Sequence, residues 1–274
     1  MSFQLIIIDL KNLTEGTEMA LIEAKNLIKT YYEQKNSEGT NALNGVELSI
    51  NQGEFVGVMG PSGSGKTTLL HMLSGIDAPT SGTVTIEKKD IFSMKDEELA
   101  LFRRRRMGFV FQEFNLLDSL TLKENIMLPL ILDKRQIDEI EEKVSKYTKL
   151  FEIEAAIEKH PYHVSGGQQQ RAAVARALMN DPAVIFADEP TGNLDSKSSK
   201  SVMSFLEKIN ERDKATILMV THDPFAASYC KRIIFIRDGK ICFEQLRGGS
   251  RSQFFEKIID SLAVLEGEAD RDDI

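Results

Sequence analysis

The sequence predicts an α/β fold in which short buried strands alternate with helices. Residues 54–60 form an apolar strand that runs into a glycine-rich turn, and residues 66–75 have a helical pattern. Residues 183–187 are a continuous apolar run between two prolines, and residues 216–220 are a second such run. Runs of this kind are typical of strands buried on both faces of a mostly parallel sheet.

The composition excludes several classes of protein. Of the 274 residues 42% are hydrophobic and 28% are charged, so the chain can bury a core and is not a disordered or fibrous protein. Its 34 basic and 42 acidic residues give a net charge of −8, and we predict no nucleic-acid partner. The basic run at residues 103–106 is interpreted as a solvated face. No stretch reaches the roughly 18–20 apolar residues of a membrane helix.

The strongest motif lies between the first of these strands and its helix, and we call it the phosphate loop (residues 60–67). Two glycines five positions apart, followed by lysine and threonine, form a pattern that binds nucleotide phosphates. Backbone N–H groups can surround phosphate oxygens there, and the helix adds its positive N-terminal end. We predict that Lys66 binds the β- and γ-phosphates and that the Thr67 hydroxyl is a ligand of Mg²⁺. The nucleotide-binding residues predicted here are Gly60, Pro61, Ser62, Gly63, Ser64, Gly65, Lys66, Thr67 and Thr68.

Two acidic residues end the apolar strand that begins near residue 183. Because ligands bind at the carboxyl ends of strands in open α/β sheets, Asp188 and Glu189 are expected close to the phosphate loop. Asp188 is suited to hold Mg²⁺, and Glu189 is suited to activate the attacking water. The alternative is a solvated acidic turn, and the presence of the phosphate loop in the same chain makes this alternative weaker.

A third motif opens an alanine-rich helix, and we call it the SGGQ segment (residues 165–168). It consists of Ser165, Gly166, Gly167 and Gln168. Ser165 is expected to cap the helix, and the glycines expose backbone N–H groups to an anion. Alone this pattern is an ordinary helix cap, but together with the first two motifs it is diagnostic of a protein family.

In their order along the chain, the phosphate loop, the SGGQ segment and the two acids resemble the motifs of the ATP-binding subunits of ABC transporters. The resemblance covers about residues 20–247. The resemblance implies a P-loop NTPase core of the ABC ATPase type, with an antiparallel β subdomain and an inserted α-helical subdomain. It implies that Tyr31 stacks on adenine, the alternative being a half-buried surface tyrosine. It also implies that Gln112 contacts Mg²⁺ and the γ-phosphate and that His222 contacts the γ-phosphate. The predicted catalytic residues are Glu189, His222, Lys66 and Gln112, and the predicted metal ligands are Thr67, Gln112 and Asp188.

The resemblance also divides the chain. Residues 1–18 are predicted to be a dispensable N-terminal extension, with Met19 as the candidate native start, because a polar stretch precedes Met19 and no motif lies before it. Residues 19–247 form the ATPase domain, with the helical subdomain at about 113–180. Residues 248–274, after a glycine pair, are expected to form a helix at 253–265 and an acidic tail.

Several segments narrow the resemblance. Residues 103–106, 107–112 and 114–117 are similar to the lipoprotein- and macrolide-exporter branch. Residues 118–121, 125–130 and 221–230 are similar to the bacitracin-type antimicrobial-peptide exporters of Gram-positive bacteria. The implied function is ATP hydrolysis that powers antimicrobial-peptide export or resistance, with lipoprotein or macrolide export as the alternative.

Other ATPase classes fit less well. ATPases of DNA maintenance carry a long coiled-coil insertion, but only 99 positions separate Lys66 from Ser165. Ribosome-acting relatives need two cassettes, and one phosphate loop is present. A plain kinase does not explain the SGGQ segment.

The implied partners are a separate membrane permease and a second copy of the chain. Two copies would bind two ATP molecules head to tail, each between one phosphate loop and the other copy's SGGQ segment, and residues 193–195 would cross the interface. Apolar residues within 113–130, above all Phe114, Leu116 and Leu117, are the predicted docking surface for the permease. This would hold the chain at the cytoplasmic face of the membrane.

A hairpin is expected near the C-terminal end of the ATPase domain. Asp238 and Gly239 are typical of a two-residue turn between strands. The simplest register places Phe235 opposite Cys242.

Overall fold

The computed structural model describes residues 20–32 and 39–272, with side chains as far as Leu265. The predicted extension at residues 1–18 lies outside the described residues. Within them the chain forms a six-stranded sheet in the order β10-β9-β3-β8-β7-β6 and a four-stranded sheet in the order β2-β1-β4-β5. The predicted α/β fold is confirmed.

The six-stranded sheet carries the site. Its strands β3, β6, β7, β8 and β9 are parallel, and β10 pairs antiparallel with β9. Their bounds are Phe55–Met59 (β3), Met107–Val110 (β6), Val184–Asp188 (β7), Thr216–Val220 (β8), Arg232–Arg237 (β9) and Lys240–Leu246 (β10). Parallel strands place their carboxyl ends at one edge, so the segments that follow β3, β6, β7 and β8 meet there.

The four-stranded sheet is antiparallel. Its strands are Ala20–Tyr31 (β1), Thr40–Asn51 (β2), Ser81–Ile86 (β4) and Lys89–Asp90 (β5). It matches the antiparallel β subdomain implied by the resemblance.

Eight helices are described. They are Lys66–Leu73 (α1), Asp96–Arg106 (α2), Leu122–Leu132 (α3), Ile137–Leu150 (α4), Gly166–Leu178 (α5), Ser196–Asp213 (α6), Pro224–Ala227 (α7) and Arg251–Asp272 (α8). Helices α3, α4 and α5 lie between β6 and β7, where the inserted helical subdomain was expected; its exact limits stay a prediction. Of the described helices, none combines the length and the apolar character needed to cross a bilayer.

Two hydrophobic cores lie on the two faces of the six-stranded sheet. Successive side chains of a strand point to opposite faces. In β8, accordingly, Ile217 and Met219 join one core and Leu218 and Val220 join the other. All five residues of β8 are buried. The apolar run at 216–220 therefore predicted a strand covered on both sides.

The C-terminal helix differs from its prediction. Helix α8 extends to Asp272, so the acidic residues expected to form a tail continue the helix. Three of its residues are buried in the core that contains Ile217 and Met219 of β8. They are Phe254, Ile258 and Leu265. This burial accounts for the docking of α8 on the ATPase core, although the expected boundary at residue 248 stays a prediction.

The register of the hairpin was predicted wrongly. Phe235 pairs with Phe243 because the β9–β10 ladder is irregular between Ile241 and Phe243. The two phenyl rings stack with centroids 4.6 Å apart. A bulge shifts each later residue by one position, and the turn sequence does not reveal it.

Candidate functional site

The phosphate loop joins the end of β3 to the start of α1. Gly65 caps α1 with φ 100° and contributes no side chain to the cap. A methyl group at this position would lie 2.3 Å from the carbonyl oxygen of Ala42, so only glycine fits. The first-turn N–H groups of α1 have no side-chain cap, which leaves the positive end of the helix suited to a phosphate.

Lys66 provides the cation of the loop. Its Nζ donates hydrogen bonds to the carbonyl oxygens of Gly60 (3.0 Å) and Pro61 (2.7 Å). The residue is only 9% exposed. Burial lowers the pKa of the ammonium group, and the charges of Glu189 and Asp188 act in the opposite direction. The site therefore combines a buried cation with two nearby carboxylates, an arrangement suited to a charged ligand.

Thr67 and Asp188 lie close enough to share a cation. The Oγ1 atom of Thr67 donates to Oδ1 of Asp188 over 3.5 Å. Burial raises the pKa of Asp188, and the neighbouring Glu189 raises it further, against the opposing effects of His71, Thr67 and Lys66. A hydroxyl and a carboxylate are oxygen ligands of the kind Mg²⁺ takes. Among the described residues no cluster of three or more His, Cys, Asp or Glu residues could hold a metal ion.

Glu189 is held in an unusual backbone conformation. Its φ is 46°, in the left-handed region, and its N–H donates to the carbonyl oxygen of Val220 (2.9 Å). Its carboxylate accepts hydrogen bonds from Oγ1 of Thr221 (3.2 Å) and from the backbone N–H of His222 (3.1 Å). Nδ1 of His222 lies 2.7 Å from Oε1 of Glu189, and since a carboxylate only accepts, Nδ1 carries the hydrogen. The end of β8 thus orients the carboxylate that follows β7.

Gln112 follows β6 and pairs with Asn193. Nε2 of Gln112 donates to Oδ1 of Asn193 (3.4 Å), and Nδ2 of Asn193 donates to the carbonyl oxygen of Gln112 (3.1 Å). The residue expected to contact the γ-phosphate is therefore in contact with the loop expected to cross the dimer interface.

Most of the predicted nucleotide-binding residues line one cavity of about 740 Å³, whereas Ser64 and the predicted metal ligand Asp188 are not part of its lining. The predicted residues that line it are Gly60, Pro61, Ser62, Gly63, Gly65, Lys66, Thr67, Thr68, Gln112, Glu189 and His222. Three further lining residues, Ala42, Leu262 and Leu265, were missed. The sequence predicted the helix that contains the two leucines, but which surface this helix contacts depends on the tertiary structure.

The SGGQ segment lies outside this lining. Ser165 caps α5: its Oγ accepts from the N–H of Gln168 (3.3 Å), while Oε1 of Gln168 accepts from the N–H of Ser165 (3.1 Å). This capping box does not use the N–H groups of Gly166 and Gly167. The segment therefore presents a helix N-terminus away from the chain's own phosphate loop.

Tyr31 also lies outside the lining. It ends β1 and is 44% exposed, and its hydroxyl donates to Asp77 (3.1 Å). Lys29 Nζ lies 4.9 Å from the centroid of its ring. Stacking of adenine on Tyr31 stays a prediction.

A separate apolar groove of about 460 Å³ lies between α2, α3 and α5. Its apolar lining includes Phe109, Phe111, Leu128, Pro129 and Leu132, and its charged lining is Arg103, Arg104 and Arg176. All three arginines donate to backbone carbonyls, Arg103 to Gly75, Arg104 to Leu132, and Arg176 to Phe114 and Asn115.

Comparison with known proteins decides the family. The sequence pattern described as ABC transporter matches residues 43–192, more than half of the chain. The chain belongs to the ABC transporter family. It is an ATP-binding cassette of that family, as the phosphate loop, the strand-end acids and the SGGQ segment indicated.

Two curated relatives extend over most of the chain. The ABC transporter ATP-binding protein YvcR of Bacillus subtilis is 54% identical, over 91% of this chain and 96% of YvcR. The bacitracin export ATP-binding protein BceA of Halalkalibacterium halodurans is 48% identical, over 91% of this chain and 98% of BceA.

A solved structure supports the fold. The dimeric structure of a post-hydrolysis state of the ATP-binding cassette MJ0796, bound to ADP and Pi, matches with a TM-score of 0.76 and 43% identity. The match covers 83% of this chain and all of the other. MJ0796 belongs to Methanocaldococcus jannaschii.

Proposed function

We propose that this cassette is the ATP-hydrolysing subunit of an antimicrobial-peptide exporter and works with a separate membrane permease. The observation that carries the ATPase activity is the orientation of Glu189 by Thr221 and His222 in the cavity of the phosphate loop. The likeness to BceA, a bacitracin export protein, supports the cargo. Attachment through the permease would place the chain at the cytoplasmic face of the membrane.

The residues of the cavity divide the work of hydrolysis. The phosphate loop and Lys66 bind the β- and γ-phosphates and neutralise charge as it develops. Glu189 orients a water molecule in line with the γ-phosphate and accepts its proton, while His222 holds the carboxylate. Thr67, Asp188 and Gln112 would hold Mg²⁺, which, when bound, neutralises the phosphate oxygens.

A second copy completes each site in this proposal. The SGGQ segment does not line its own cavity, and its two glycine N–H groups remain outside the capping box. The segment would therefore bind the γ-phosphate of ATP held by the other copy. Loss of that phosphate removes the group both surfaces hold, so the pair opens and moves the permease. The dimeric structure of MJ0796 supports this arrangement.

We propose that the apolar groove between α2, α3 and α5 receives a cytoplasmic helix of the permease. The sequence pointed to Phe114, Leu116 and Leu117. Leu116 packs against the core that contains Ile217 and Met219, whereas Leu117 is 48% exposed. The groove adjoins this segment, because Asn115 is part of its lining, and it presents several apolar side chains to a partner. Its arginines suit a helix with acidic residues.

The activity is tested with Glu189→Gln. The amide has nearly the same shape but cannot accept the proton, so turnover should fall by about 10²–10⁴-fold. ATP should still bind and should trap the closed dimer, visible by size-exclusion chromatography, whereas ADP should not. Glu142→Gln, an exposed substitution on α4, is the control. Normal turnover in Glu189→Gln would exclude Glu189 as the base, and lost ATP binding would assign it to metal binding or structure.

The docking groove is tested with Leu132→Glu. Leu132 lines the groove and is 51% exposed, while the control Ile137, on α4, is 58% exposed and lies outside the groove lining. Leu132→Glu should reduce bacitracin resistance in cells and co-purification of the permease, with basal ATPase activity unchanged. Ile137→Glu should behave as wild type. Equal resistance in both variants would exclude the groove as the docking site.

A further inference from the structure

Gln170 is a polar side chain at the centre of the molecule that the proposed mechanism does not use. It lies in α5 and is fully buried, beside apolar residues such as Ala172 and Ala173. Nε2 donates to the carbonyl oxygens of Phe111 (3.2 Å) and Pro190 (2.6 Å). Oε1 has no hydrogen-bond partner among the described residues. An unpaired buried acceptor costs stability, so a glutamine at this position calls for a compensating role. The two hydrogen bonds donated by Nε2 are the candidate for that role.

Both carbonyl groups are attached to catalytic segments. The carbonyl of Phe111 belongs to the peptide bond that continues into Gln112, and Pro190 is joined directly to Glu189. Strands β6 and β7 end at Val110 and Asp188, so neither carbonyl belongs to a strand of the sheet. One amide group therefore determines how the backbones after β6 and β7 are placed relative to each other.

Gln170 also connects these backbones to the SGGQ segment. It lies five residues after Ser165, which is about 7.5 Å along a helix. Arg176, further along α5, donates to the carbonyl oxygens of Phe114 and Asn115. The segment that contains Gln112 is thus attached to α5 on both sides. A displacement of the α5 N-terminus would move it as a unit.

We propose that Gln170 is a positioning residue that links the two ATP sites of the dimer. This inference rests on the proposed function, in which the SGGQ segment of each copy binds the other copy's ATP. When α5 engages that ATP, the bonds from Gln170 bring Gln112 and Glu189 of the same chain into their hydrolytic positions. Each copy's own site then becomes active only after its helix has engaged the second copy.

The test compares Gln170→Met with Gln169→Met. Methionine has a similar length and volume but no N–H groups, so it removes both bonds without leaving a large cavity. Gln169 is a neighbouring part-buried glutamine of α5 whose amide contacts Val164 (3.4 Å) rather than a catalytic segment. For both variants we would measure kcat, KM for Mg·ATP, the Hill coefficient for ATP, binding of a fluorescent ATP analogue and the melting temperature.

Gln170→Met should lower kcat by about 10²-fold, the cost of misplacing a reacting group by about 1 Å. Its KM and analogue binding should stay at wild-type values because the phosphate loop is unchanged, and its Hill coefficient should fall towards that of independent sites. Gln169→Met should retain wild-type kcat. Should Gln170→Met melt below the assay temperature, Gln170→Asn, which keeps the amide on a shorter side chain, takes the same measurements with a smaller expected loss of kcat.

Two results would overturn the inference. One is wild-type kcat and Hill coefficient in a folded Gln170 variant. The other is a loss of kcat accompanied by weaker binding of the analogue and a lower melting temperature. That pattern would indicate that the hydrogen bonds of Gln170 only stabilise the fold. Absence of ATP hydrolysis in the wild-type chain would instead contradict the proposed function, so the two failures are distinguishable.

Discussion

The phosphate loop and the SGGQ segment are both glycine-containing helix N-termini, yet their ends differ. Gly65 begins α1 with no side-chain cap, while Lys66 lies over the loop. Ser165 begins α5 with a closed capping box formed with Gln168. The first helix end faces Gln112, Glu189 and His222 across one cavity, and the second lies outside that cavity.

This difference separates what one chain can assemble from what needs a second chain. The helix end at α1 is left without a side-chain cap in a cavity whose other walls carry catalytic groups. The helix end at α5 is stable as it stands, with its own Ser165 and Gln168 as partners. In the proposed dimer, each cassette would bind its nucleotide at the phosphate loop and offer the SGGQ segment to the neighbouring copy.

The largest effect is expected from the phosphate loop. Lys66→Ala removes the cation placed on the β- and γ-phosphates and should lower ATPase turnover by about 10²–10³-fold or more. Turnover and binding of a fluorescent ATP analogue are the measurements. Lys149→Ala, an exposed change on α4, should have no effect. Near-normal turnover in Lys66→Ala would refute the assignment of the loop.

The division between the two helix ends is tested by mixing variants. At Gly166 a Cβ atom would meet Phe114 and Leu194 at 3.4 and 3.5 Å, so a side chain can begin there. Gly166→Asp should keep ATP binding but repel the other copy's γ-phosphate and abolish turnover, whereas the uncharged Gly166→Asn should retain more activity. A mixture of Lys66→Ala and Gly166→Asp chains should recover ATP-dependent dimer formation, because a mixed dimer contains one intact site. The measurement is retention of one chain on the tagged other chain when ATP is added.

The matching control places both changes in one chain. A Lys66→Ala, Gly166→Asp double variant damages both sites of every dimer that it forms with wild-type chain, so a tagged double variant should retain no wild-type chain when ATP is added. Failure of the first pair of variants to form mixed dimers with ATP would show that ATP is not held between one phosphate loop and the other copy's SGGQ segment.

The smallest effect concerns stability. The pKa of Asp188 is raised above the ordinary value of 3.8, first by burial and then by Glu189, so the folded chain disfavours its ionised form. Asp188→Asn should therefore raise the melting temperature of the nucleotide-free protein by a few degrees at pH 7. The gain should shrink as the pH falls through the folded-state pKa of Asp188, because the wild-type carboxyl then becomes neutral.

Asp195→Asn is the comparison variant, because the pKa of Asp195 is shifted in the opposite direction from that of Asp188. Hydrogen bonds from Ser198 and the adjacent backbone lower the pKa of Asp195 at the start of α6, so its ionised form is favoured in the fold. This variant should give no gain at pH 7. A similar gain in both variants would mean that the effect comes from overall charge rather than from burial at the site.

The site residues that the sequence suggested without the family resemblance belong to local patterns. Lys66 and Thr67 follow from spacing within one loop, and Ser165 with Gln168 follows from the rule for helix caps. Asp188 and Glu189 could be placed near them because parallel strands end at a common edge. The assignments of Tyr31, Gln112 and His222 came from the family resemblance, since a single aromatic, amide or imidazole side chain has no distinctive spacing.

By itself the sequence determined the α/β fold, the phosphate loop, the acidic strand end and the helix that carries the SGGQ segment. These depend on neighbours within a few residues and on the periodicity of buried positions. Only the tertiary structure decided that Leu262 and Leu265 line the nucleotide cavity, that the β9–β10 ladder is irregular next to Phe243, and that Gln170 joins the ends of two strands. These contacts depend on exact register or join residues far apart in the chain, such as Gln170 with Phe111. No local pattern encodes which distant surface a side chain will meet.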